Sequence, residues 1–220
     1  MIKRASCVAV LLLALSGCGG GGESGESVEN GERNEPVRAP YGITGLRQME
    51  FDVDPTLLGF TYKDTTLDLQ FAPPRGWPPL DPDLMDQTRA ALKEMVPEGT
   101  RFHGDPVRIF AEQGRRLFMI VAIWRNWEMA LNPLPGLGEY REQIRAAMPD
   151  VEIQEDTFLL GDIAVYQLLL RNPVLVNFRL ILIREGMKPV QVDYLVPRAL
   201  YPELVKGIEA SIGSIRSLED

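Results

Sequence analysis

Apolar and polar positions alternate in several short stretches of this chain, and a period of two predicts half-buried strands. Met49, Phe51 and Val53 alternate with polar partners, as do Leu67, Leu69 and Phe71. Val107–Ala111 and Leu117–Trp124 flank Glu112-Gln113-Gly114-Arg115-Arg116, which predicts a hairpin with Gly114 available for a positive φ. The run Leu117–Trp124 is apolar on both faces, so it is expected to be a central strand covered on both sides. Three further strands are predicted over Ile163–Leu170, Val174–Ile183 and Val190–Val196. Asn172-Pro173 and Glu185-Gly186 separate them, and connections that short make an antiparallel meander. In the last strand Val190, Val192, Tyr194 and Val196 share one face, with Gln191 and Asp193 on the other.

Three helices punctuate these strands. The first follows Asp81-Pro82-Asp83, where an Asp cap and a first-turn Pro are favoured, and Leu84, Thr88, Leu92 and Met95 keep helical spacing. The second is predicted near Gly138–Met148, with Leu137, Tyr140, Ile144 and Ala147 on one face. The third starts at Tyr201-Pro202 and carries Leu204, Val205, Ile208, Ile212 and Ile215 as an apolar stripe. Strands apolar on both sides need cover on both sides. The expected fold class is therefore α/β (α+β): an antiparallel β-sheet with helices on both faces, a three-layer sandwich.

The first forty residues follow a different pattern. Lys3 and Arg4 precede a short apolar run, Val8–Leu15, which has the form of a signal peptide and is too short to span a bilayer. Leu15-Ser16-Gly17-Cys18 then resembles the lipobox of bacterial lipoproteins, in which cleavage occurs before the Cys and its sulfur receives a diacylglycerol. The plainer alternative is an ordinary signal peptide that happens to contain Cys18. The resemblance implies attachment to the membrane through a lipid on Cys18, and Gly19 after it implies the outer membrane, facing the periplasm, in a double-membraned host. The expected organisation is a signal peptide at 1–17, the lipidated Cys and a Gly/Glu-rich tether at 18–40, and one globular domain at 41–220. A flexible tether of that length has a root-mean-square span of about 25 Å.

Charge and residue inventory narrow the chemistry. With Lys+Arg 23 against Asp+Glu 31 the chain has a net charge of −8, which argues against a general nucleic-acid binder. Cys7 and Cys18 both precede the folded region, so no disulfide framework is expected. Between Val28 and Ala210 there is no Ser or Cys, and His103 is the chain's one histidine. Ser-His-Asp and Cys-His nucleophile arrangements are thereby unavailable, as is a zinc site of the usual Cys/His type. Pro135-Gly136-Leu137-Gly138-Glu139-Tyr140 lacks the third glycine of a dinucleotide fingerprint and reads as a loop entering a helix. Asp81, Asp83 and Asp86 form one acidic group, and Glu152, Glu155 and Asp156 form another. Neither matches a metal-loop spacing, and both fit helix-dipole or solvated-face roles better than a Ca²⁺ site or an acid/base pair. His103 reads as a loop histidine. No catalytic residue, metal or cofactor is expected.

Two surfaces are candidates for interaction. Trp124-Arg125-Asn126-Trp127 precedes a Pro-rich loop, and Trp and Arg are enriched where proteins bind one another. The competing reading buries Trp124 at the end of its strand and packs Trp127 beneath the loop. Arg115 and Arg116 at the predicted hairpin tip are the second candidate, with a solubilising turn as the alternative.

The element order is similar to a known family. A strand ending F-A-P-P-R-G-W, then a helix, a hairpin, a second helix and G-D-I-A-V-Y opening a meander lead to a terminal helix closing S-I-G-S-I-R-S-L. That order resembles the PsbP-like fold shared by a photosystem extrinsic protein, a Ran-binding import factor and DcrB-type bacterial envelope lipoproteins. The resemblance spans about residues 47–218, and it implies a binding or assembly module without a common catalytic centre. The expected function is a non-catalytic module docking an envelope protein. The alternatives are a carrier or chaperone for a lipid or other apolar ligand, and last a carboxylate-based hydrolase.

Overall fold

The C-terminal meander is the frame on which the rest is hung. A computed structural model describes residues 45–94, 104–124 and 134–218 of the chain. In chain order the strands are β1 (Arg47–Gln48), β2 (Tyr62–Asp64), β3 (Leu69–Phe71), β4 (Asp105–Glu112), β5 (Leu117–Ile123), β6 (Glu152–Leu160), β7 (Ile163–Arg171), β8 (Leu175–Ile183), β9 (Val190–Pro197) and β10 (Arg216–Ser217). The helices are α1 (Pro82–Glu94), α2 (Leu134–Ala147) and α3 (Tyr201–Gly213). Seven strands form one sheet in the order β1-β6-β7-β8-β9-β5-β4, antiparallel except where β1 runs parallel to β6. A second, three-stranded sheet has the order β10-β3-β2.

The period of two decides what each face meets. Phe178, Leu180, Val192, Tyr194 and Met119 point to one side, into a cluster with Ile208 and Ile212 of α3 and with Leu69 and Phe71 of the small sheet. Tyr166, Leu168, Ile181 and Ile183 point to the other, into a cluster with Leu137, Tyr140 and Ile144 of α2. Each fully buried Leu, Ile or Phe contributes about 1.5–3 kcal/mol, so neither face could be left to solvent without heavy loss. The class is mixed α/β, with a large sheet and three helices.

Several local expectations are corrected. The meander has four strands, because β6 precedes the expected three. Its first half, Glu152–Asp156, has Ile153 as its one apolar residue and so carries no alternating signal; Ile153 packs on the α2 cluster and arginines on neighbouring elements pair with the acids. The alternating segment 49–53 is not a strand. Met49 N donates to Leu159 O at 2.8 Å, and the chain then leaves the sheet to pack Phe51 against Phe158, ring centres 5.9 Å apart. Leu67 is buried but sits in the β2–β3 turn, which Asp64 Oδ1 closes by accepting from the backbone N–H of Thr66 and Leu67. The β4–β5 connection is a 3₁₀ turn, Gln113–Arg115, and the residue with positive φ is Arg116 (57°), not Gly114. Finally, α2 begins four residues before Gly138, because Pro135 at the second position has the φ a first helical turn requires.

Both rims of the large sheet are partly covered by short pieces of chain. At one, β1 lies against β6. At the other, Leu80 N donates to Ile109 O at 2.7 Å and Ala111 N to Pro78 O at 2.9 Å, so Pro78–Leu80 lies along β4.

Candidate functional site

Polar side chains enter the α2 face of the sheet at one place. Asn177 and Arg179 alternate with apolar residues on β8, and Gln191 and Asp193 do so on β9. The register sets Arg179 opposite Asp193. Arg179 Nε donates to Asp193 Oδ1 at 2.6 Å and Arg179 Nη1 to the Tyr140 hydroxyl at 2.6 Å. Asn177 Nδ2 donates to Asp193 Oδ1 at 3.1 Å, and the Gln191 amide donates to Asp193 Oδ2. Trp124 Nε1 closes the network by donating to Gln191 Oε1 at 2.8 Å, and its ring meets Tyr140 edge-on at 4.9 Å. Among the described residues, the buried Asn177 Oδ1 meets no hydrogen-bond donor.

This arrangement fixes charge and does not move protons near neutral pH. Burial pushes the Tyr140 phenol up to about 12, against the pull of the Arg179 charge. Burial disfavours the Arg179 cation, but Asp193 and Tyr140 outweigh that and raise it. Asp193 accepts from three side chains, so both of its oxygens are satisfied. The chemistry on offer is a buried lock joining β5, β8, β9 and α2.

Trp124 therefore belongs to the core. It is 2% exposed, which corrects its place among the candidate surface residues; the apolar strand carries it inward and Gln191 satisfies its N–H. Arg115 is drawn to α3: its Nη2 donates to Glu203 Oε1 at 2.7 Å, and Glu112 lies at 3.7 Å. Arg116 is exposed. Cys18, His103, Arg125 and Trp127 lie outside the described residues. The Arg179–Asp193 lock was missed as a unit, although polar residues two apart on adjacent antiparallel strands, each flanked by apolar neighbours, were its signal.

The acidic groups are distributed, not convergent. Asp81 Oδ1 accepts from Asp83 N at 3.0 Å at the start of α1, and Asp86 pairs with Arg89 at 3.3 Å. Glu152 pairs with Arg171 at 3.1 Å and Asp156 with Arg47. Glu155 accepts from Arg141 and from the Tyr166 hydroxyl, each at 2.8 Å. Partial burial works against the Glu155 carboxylate, but those two donors hold it below the usual carboxylate range. Among the described residues no three His, Cys, Asp or Glu side chains come together to hold a metal. A groove of about 300 Å³ lies along the outer edge of β4, lined by Pro78, Pro79, Leu80 and Ala111 with Asp81 and Glu112.

No family model and no curated protein matches the chain. Among solved structures it is similar to the solution structure of cyanobacterial PsbP (CyanoP) from Synechocystis sp. PCC 6803. Identity is 15%, over 75% of this chain and 95% of that one, with a TM-score of 0.47, a likeness too slight to carry an argument.

Proposed function

We propose that the chain is a bacterial envelope lipoprotein, anchored through lipid on Cys18, whose folded part is a non-catalytic protein-interaction or assembly module. We read its layers as a PsbP-like sandwich with helices on both faces of the sheet; α3 and α2 side chains in opposite clusters support that reading. The observation that carries the non-catalytic reading is the fate of the carboxylates. A carboxylate enzyme needs one acid kept protonated in a cleft, whereas Asp193, Glu152, Glu155 and Asp156 are each held by an arginine. The signal and lipobox pattern supports placement at the outer membrane, facing the periplasm.

The test uses the full-length protein in native membranes. A photoreactive residue at position 127 is expected to give a discrete protein adduct. Adducts of lipid mass, or acyl-sized mass retained in native mass spectrometry, would replace this reading with the carrier. Intact mass before and after Cys18→Ala checks the anchor separately.

A further inference from the structure

We propose that residues 41–44 of this chain dock on the outer edge of β6 as a continuation of β1, with Gly45 as the pivot between the two. The lipoprotein reading does not enter, so acylation of Cys18 leaves the inference where it stands. Three observations carry it.

The first is how much of that edge is left over. Leu159 O faces outward, because it accepts from Met49 N at 2.8 Å, and alternate residues of a strand turn their backbone groups to the same side. Thr157, Glu155 and Ile153 therefore present their N–H and C=O groups to the rim as well. The Thr157 N–H is taken by the neighbouring carboxylate, Asp156 Oδ1, at 2.8 Å. β1 ends opposite Phe158, and no described residue makes a backbone hydrogen bond to the outward groups of Glu155 or Ile153. A row of that kind is what an added strand pairs with.

The second is register. β1 runs parallel to β6, with Arg47 opposite Phe158 and Gln48 opposite Leu159. The same register sets Leu46 opposite Thr157 on the α2 side of the sheet, and Leu46 does pack on the α2 cluster, as Ile153 does. Carried further back, it sets Thr44 opposite Glu155, Ile43 opposite Gln154, Gly42 opposite Ile153 and Tyr41 opposite Glu152, where β6 begins. Ile43 C=O would then accept from Glu155 N–H, and Ile43 N–H would donate to Ile153 C=O. Pro40 falls just beyond, so the run is as long as the edge it covers.

The third is the chemistry of the occupant. Glu152, Glu155 and Asp156 of β6 already have their arginines. Residues 41–46 are uncharged and disturb none of those pairs, and Tyr41, Ile43 and Thr44 favour extended chain. The stretch 23–35 would instead bring Glu23, Glu26, Glu29, Glu32 and Glu35 against Arg33 alone. Joined directly to β1, residues 41–44 also meet the edge at a local concentration that no separate chain matches. At Gly45 φ is 84°, outside the extended range, and glycine reaches that range as readily as the left-handed one.

Hydrogen exchange of single amides, followed by NMR in the full-length chain, reads the N–H groups that the edge turns outward. Exchange at Glu155 and Ile153 is expected to be about tenfold faster in Ile43→Pro, which removes a ladder donor, with β8 amides unchanged. Gly45→Val is expected to slow both amides, since valine disfavours the left-handed turn and a Cβ there meets nothing within 4 Å. Equal rates in wild type and Ile43→Pro, with β8 still protected, would overturn the proposal. Protection that grows with protein concentration would also overturn it, in favour of a second copy at the edge. Faster exchange in Gly45→Val would overturn the pivot.

Discussion

Asp193 accepts hydrogen bonds from Asn177, Arg179 and Gln191, and that concentration of donors makes it the costliest polar residue to remove. Asp193→Ala strands a buried guanidinium and is expected to cost about 3–5 kcal/mol in urea unfolding. Arg179→Met combined with Asp193→Leu removes both charges and should recover most of that loss. A double variant no better than Asp193→Ala would show the pair to be net stabilising. Tyr140 gives a pH signature. Its folded pKa of about 12 lies above the ordinary 10.0, so the folded state holds the proton longer than the unfolded chain does. Its contribution is full below pH 10 and is lost as pH rises to 12, up to about 3 kcal/mol. Urea midpoints across that range should fall less steeply for Tyr140→Phe. Glu155 has the opposite sign: held below the usual carboxylate range, it contributes at neutral pH and loses its contribution as pH falls through that range.

At the scale of elements, doubly apolar strands and helical stripes were legible because burial writes its period into the sequence. β5, β7, β8, β9 and the bodies of all three helices overlap the segments those patterns mark, although α2 starts four residues earlier and Ile215 falls beyond α3. What escaped was held by partners distant in sequence. β6 gains its ladder from β7 and its ion pairs from arginines on β1, α2 and β7, and no window of nine residues contains that information. The alternation of Phe51 and Val53 is real but serves α3: a Cβ on Gly213 would sit 2.6 Å from Phe51 Cβ and 2.7 Å from Val53 Cγ2. Gly213→Ala should therefore destabilise by about 1–3 kcal/mol despite the better helix propensity of Ala. A stability gain would mean that segment 49–53 yields freely. The hairpin turn was misread by two residues because a 3₁₀ turn moves the left-handed position to Arg116. Arg116→Gly should relieve that backbone and raise stability by about 0.5–1 kcal/mol, read in thermal unfolding. Of the candidate interaction residues, Trp124 could be placed only once Gln191 and Tyr140 were seen around it.

Across the whole molecule, protection is expected to fall from the middle of the sheet outward. β8 has a strand on each side and clusters on both faces, whereas β1 offers two residues on one rim. Hydrogen exchange should be slowest for β8 amides and fast for β1; comparable rates would mean that the sheet opens as one unit. The rims themselves have a consequence for crowding. Copies anchored to a membrane by lipid share a thin layer, at a local concentration far above that of the same number in free solution. An open sheet there would template its neighbours strand by strand. Pro78–Leu80 covers Ile109–Ala111 of β4 and β1 covers Phe158–Leu159 of β6, so neither rim presents its full length to a neighbour. On the proposed lipid anchor, those interrupted rims would hinder edge-to-edge joining in a crowded layer and leave each copy freer to meet something other than itself.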